Sequence, residues 1–115
     1  MATVQLEKTK WQRYFDAMSK ILPNHEAEIE VNSLAIGAQT ETEFAPLLGI
    51  VYDPKSDMLE VLLEGWDHTI FSPREVYVDH DGIKLKSLMI LDGDGVQQIV
   101  RLREPLALPQ PGATG

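Results

Sequence analysis

Trp66, Asp67, His68 and Arg74 lie within nine consecutive positions, in the stretch Gly65-Trp-Asp-His-Thr-Ile70 followed by Ser72-Pro-Arg74. An aromatic ring, a carboxylate, an imidazole and a guanidinium are the usual contents of a polar ligand pocket. In such a pocket His68 would be the titrating group, with Asp67 or Arg74 as the polar clamp. The plainer reading is a core tryptophan beside a histidine bonded to a backbone carbonyl, with Arg74 pairing an acid. Strand phase does not choose between them. If Ile70 points inward, so does His68; if Phe71 does, His68 faces water.

Other chemistries find less support. The histidines are His25, His68 and His80, and no two are spaced as metal ligands on one helix face. Cysteine is absent, which removes thiolate zinc sites, iron–sulfur clusters, disulfides and a cysteine nucleophile. Asp92-Gly-Asp94-Gly opens like a calcium loop, but Val96, Gln97 and Arg103 stand where an EF-hand needs an acid or Asn, Gly and Glu. An Asp-Gly hairpin turn is the better reading. There is no G-x-S-x-G elbow, no Walker loop and no G-x-G-x-x-G. Glu28 with Glu30, and Glu60 with Glu64, share strand faces. Polar-out alternation already accounts for them. No metal and no cofactor are expected.

The charge is uneven. The chain carries 18 acids and 10 bases, a net of −8. Residues 1–22 hold four bases against two acids, a net of +2, and residues 23–115 hold six against sixteen, a net of −10. An acidic body repels phosphate, so a nucleic-acid partner is not expected. It keeps the chain soluble and could present an acidic face to a basic protein partner, or hold divalent cations weakly. The longest apolar-rich stretch, Phe44–Tyr52, is about half of what a membrane span needs. The N-terminus lacks a secretory h-region. These features point to a cytoplasmic protein with no membrane partner.

The elements that must position these residues follow from periodicity. With 115 residues the chain has room for one domain. Residues 1–8 read as a loose arm. Thr9 and Gln12 make a capping-box pattern. Trp11, Tyr14, Phe15 and Met18 then form one apolar helix face over 10–21, stopped by Pro23 and Asn24. Beyond Pro23 the period becomes two, and strands are predicted one after another. Thr40-Glu-Thr-Glu43 reads as an edge strand or loop. Asp53-Pro-Lys-Ser-Asp57 joins the clearest hairpin, with Leu59, Val61 and Leu63 on one face. His80-Asp-Gly82 and Asp92–Gly95 read as turns, and Leu85–Leu91 as a central strand. The predicted fold is α+β: an N-terminal helix packed on a strongly bent antiparallel sheet or small open barrel. It occupies 1–108, with 109–115 as a disordered tail.

Several of these segments together resemble a known group. They are Trp11-x-x-Tyr-Phe-Asp16, Pro46-Leu-Leu-Gly-Ile-Val-Tyr-Asp-Pro54, His68-x-Ile70-x-x-Pro73 and Asp92-Gly-Asp-Gly95. The chain is similar over most of 10–109 to a family of small uncharacterised bacterial proteins, known as a domain of unknown function. That resemblance implies a free-standing bacterial domain and supplies no activity or catalytic residue. The leading expectation is a non-enzymatic binding or interaction module. Tyr77 and Ile99, on outer strand faces, are candidates for a homodimer surface. The alternative is a small ligand-binding domain or enzyme with its pocket at Trp66–Arg74.

Overall fold

The computed structural model describes residues 2–21, 25–33, 37–81 and 84–107. The period-two alternation after Pro23 becomes a sheet. Its strands are β1 (Ala2–Leu6), β2 (Glu26–Ser33), β3 (Gly37–Asp53), β4 (Met58–Leu63), β5 (Trp66–Phe71), β6 (Pro73–Asp81), β7 (Lys84–Asp92) and β8 (Gln97–Ala107). One helix, α1 (Trp11–Ser19), follows a short 3-10 turn at Lys8–Lys10. All eight strands form one sheet in the order β1-β6-β7-β8-β2-β3-β4-β5. Every pairing is antiparallel, and among the described residues the outermost strands β1 and β5 each have a strand on one side only. The class is therefore α+β with the sheet dominant and open.

The bend lies in β3, which is 17 residues long. Its first part pairs with β2 up to Pro46, and its second part, from Leu47, pairs with β4. Pro46 stands at the handover, where a missing N–H does least harm to a ladder. Register shifts on both sides, at Ala27–Glu30 and at Leu47–Gly49, add local twist. The result is a long leaf, β1-β6-β7-β8-β2-β3, and a short leaf, β3-β4-β5. Inward side chains of the long leaf (Ile29, Val78, Leu88, Ile90, Val100) share one core with Ile50, Leu59, Val61 and Ile70 of the short leaf.

Helix α1 closes the gap that the bend opens. Beyond Pro46 one side of β3 has lost its strand partner. The Ser19 hydroxyl takes that place: it donates to the Ile50 carbonyl at 3.0 Å and accepts from the Ile50 N–H at 3.0 Å. Gly49 permits the approach, since a Cβ there would lie 3.3 Å from Ser19 Oγ. Trp11, Phe15 and Met18, at i, i+4 and i+7, are all buried. This is the apolar face read from the sequence.

Two expectations change. The arm at 1–8 is strand β1, paired with β6 from Ala2↔His80 to Leu6↔Val76. Thr9 does not cap the helix. The 3-10 turn runs into α1 through Lys10, whose φ −104° and ψ −5° are not those of an extended cap, and no side chain bonds there. The polar stretch Thr40–Glu43 takes the edge-strand reading and not the loop: it lies in β3, paired with β2 on one side, while the β4 ladder begins only at Leu47. Pro23, Asn24, Gly82 and the expected tail at 109–115 lie outside the described residues.

Candidate functional site

Strand β5 carries three of the four residues singled out above. It is joined to β4 by Glu64-Gly65, a two-residue turn that needs positive φ, and Gly65 adopts +97°. The register runs from Leu63↔Trp66 to Met58↔Phe71 without a bulge. Ile70 is fully buried, His68 half-buried and Trp66 exposed. The even-numbered residues thus line the inner face from the core out to its mouth. Asp67, Thr69 and Phe71 occupy the outer face. The phase left open by the sequence is settled by Ile70.

Trp66 and His68 come together, ring centroids 5.5 Å apart and edge to face. His68 Nε2 meets Gln98 Oε1 on the opposing leaf. Gln98 in turn donates through Nε2 to Asp92 Oδ2 at 3.0 Å. The other Asp92 oxygen accepts the backbone N–H groups of Asp94 at 2.9 Å and Val96 at 3.0 Å. Because the Gln98 amide nitrogen is committed to Asp92, its oxygen faces His68, so His68 Nε2 carries the proton. A relay of three polar side chains therefore ties β5 to the β7–β8 hairpin across the core.

Asp67 and Arg74 do not join this group. Asp67 lies on the outer face opposite Leu62. Arg74 follows a sharp corner at Ser72, where φ is +51°, and it is exposed with no ion pair among the described residues. Two shallow hollows lie elsewhere. One, of about 360 Å³, is lined by Gln12, Arg13, Asp16, Ala17 and Lys20 of α1. The other, of about 310 Å³, is lined by His25, Glu26, Arg103 and Glu104. Neither includes a residue of the Trp66–Arg74 stretch. Among the described residues no group of three His, Asp or Glu side chains is placed to hold a metal ion. No described helix is long and apolar enough to cross a membrane.

The feature that sequence reasoning missed is the outer face of the short leaf. Phe71 is 66% exposed and Val51 41% exposed there, and half-buried Met58 and Leu62 lie between strands beside them. Leu48, 61% exposed, projects from the bulge at the base of the leaf. The signal was present in the doublets Leu47-Leu48, Leu62-Leu63 and Ile70-Phe71. In an alternating strand an apolar doublet must send one member outward. On the long leaf, Tyr77, Met89 and Ile99 form an outer row across three strands, each half-buried.

A second cluster secures the N-terminal segment. Asp57 accepts the Tyr52 hydroxyl at 2.8 Å and the Lys8 ammonium at 3.1 Å. These partners, the hydroxyl first, hold its carboxyl below the usual carboxylate range. Burial, and then the bond to Asp57, push the Tyr52 phenol up to about 12. The lowered Asp57 value predicts a contribution present above the unfolded carboxylate value of about 3.9 and lost as pH falls through the folded one. The melting temperature of Asp57→Asn should therefore fall less steeply with acid than that of wild type. Parallel acid limbs in a pH series of melts would refute this.

Relatives carry the same absence of an assigned chemistry. A family described as a family of unknown function (DUF5335) matches residues 2–111. An uncharacterized protein of Aquifex aeolicus (strain VF5) is 40% identical over 111 residues, covering 96% of this chain and 100% of that protein. No solved structure matches the chain.

Proposed function

Since the chain belongs to the family of unknown function DUF5335, which hands down no activity, we propose a role built on its own surface: a non-enzymatic interaction module that binds another protein through the short leaf. One observation carries this reading. Phe71, on the edge strand β5, and Val51, two strands away on β3, are exposed on the outer face of the short leaf. Large exposed apolar side chains beside an edge strand are what a soluble domain normally avoids unless something covers them. The polar groups nearest to a catalytic arrangement are engaged structurally, as His68 and Asp92 both bind Gln98. That use of the imidazole weighs against the ligand-pocket alternative.

A photo-crosslinking side chain placed at Phe71 tests the reading in cells. It should give discrete adducts with another protein. The same group at Arg13, exposed on the outer side of α1, should not. Equal labelling from both positions, or none at Phe71, would overturn it.

A further inference from the structure

The interaction reading leaves the partner's chemistry open, and the geometry of β5 narrows it. The Ser72 N–H donates to the Asp57 carbonyl at 3.0 Å. With Leu63↔Trp66 closing the turn at the other end, this fixes the ladder phase. Residues 66, 68, 70 and 72 turn their backbones toward β4. Asp67, Thr69 and Phe71 present their N–H and C=O groups to the open side. Strand β5 contains no lysine, no proline and no bulge, the devices that usually blunt an edge. Large side chains flank it on both faces, Trp66 on the inner side and Phe71 on the outer.

Charge selects the occupant. Residues 47–71 carry Asp53, Asp57, Glu60, Glu64 and Asp67 against the single base Lys55, a net of −4. Lys8 engages Asp57, while Glu60, Glu64 and Asp67 have no ion pair among the described residues. A second copy adding at this edge would pair Asp67 with Phe71 about Thr69 and set two leaves of the same sign side by side. A segment of opposite charge meets no such repulsion.

We propose that β5 is a strand-addition site for an extended segment of another protein in which lysine or arginine alternates with aliphatic residues. Its main chain pairs with Asp67, Thr69 and Phe71. Its aliphatic side chains extend the inner face beside Trp66, and its basic ones lie on the outer face beside Asp67, reaching toward Glu60 across Thr69. This rests on the interaction reading above and specifies its partner.

The probe is a blocked octapeptide of alternating lysine and valine. Its controls are the glutamate–valine counterpart and a peptide with four lysines followed by four valines. The alternating basic peptide should bind at least about tenfold more tightly than either control and weaken with salt. It should slow amide exchange at Thr69 and Phe71 by at least about tenfold. Asp67→Lys should weaken binding by about tenfold. Thr69→Pro, which removes an outward N–H that β4 does not use, should abolish it. No binding, binding without protection of β5, or indifference to Asp67→Lys overturns the assignment. Sedimentation equilibrium separates the two levels. A dimer that protects Thr69 and Phe71 without peptide gives the edge to a second copy, sinking this partner but keeping the interaction module. Absence of peptide binding, dimer and Phe71 crosslinks together removes both.

Discussion

Trp11→Ala lowers the unfolding free energy by about 3–5 kcal/mol, the range for removing a fully buried large aromatic side chain. Trp11 is 1% exposed and joins three elements at once. Its indole N–H donates to the Leu6 carbonyl of β1 at 3.1 Å. Its ring meets the edge of Tyr52 on β3, with centroids 5.1 Å apart, and the Lys8 ammonium stands 5.4 Å from the ring centre. Truncation opens a cavity where the helix, the N-terminal strand and the bent strand converge. Against a typical total of about 5–15 kcal/mol, such a loss leaves a marginal protein. Denaturant titration checks it, with Trp66→Ala as the comparison. Trp66 is 39% exposed and should cost distinctly less. A loss at Trp11 below about 1 kcal/mol would contradict the docking described here.

Gln98→Leu should be the next most damaging change, at about 2–3 kcal/mol. The substitution roughly preserves side-chain volume, so the loss reports bonds and not a void. Asp92 and Gln98 are both buried. Removing the amide takes a donor from the Asp92 carboxylate and an acceptor from His68 in one step. A buried charged group deprived of a partner costs more than a neutral one. Because His68 acts through Gln98, His68→Leu should cost clearly less in the Gln98→Leu background than in wild type, with a coupling of about 1 kcal/mol. Simple additivity in that double-mutant cycle would show that the three side chains do not form a unit.

Local chemistry was legible in the sequence and long-range pairing was not. The Asp53–Asp57 and Asp92–Gly95 turns, the stripe Trp11, Phe15, Met18 and the inward set Leu59, Val61, Leu63 all follow from neighbouring residues. Strand β1 did not, because its five residues offer only Val4 and Leu6 as a period and its partner β6 lies some seventy residues away in the chain. The bend of β3 was hidden because Thr40–Glu43 has no apolar face to set a phase. The candidate site was half legible. Trp66 and His68 share a face, while Asp67 is sent outward by the same alternation that brings them together. Gln98 was overlooked although it stands at the inward parity of Val96, Val100 and Leu102. A polar residue at such a position, with Asp92 at the corresponding parity of Leu88 and Ile90, is the readable mark of a buried relay.

The N-terminal segment has a consequence for how the chain comes into being. Ala2–Ser19 leaves the ribosome before either surface on which it rests. Its helix must wait for β3, and its strand must wait until residues 76–80 of β6 have been made. Until then Trp11, Phe15 and Met18 have no place to bury. Contacts this distant along the chain slow folding, because loop closure is opposed by entropy before the contacts form. This early segment therefore docks only after β6 has been made, and a nascent chain halted short of β6 carries an aromatic amphipathic stretch for chaperones to shield.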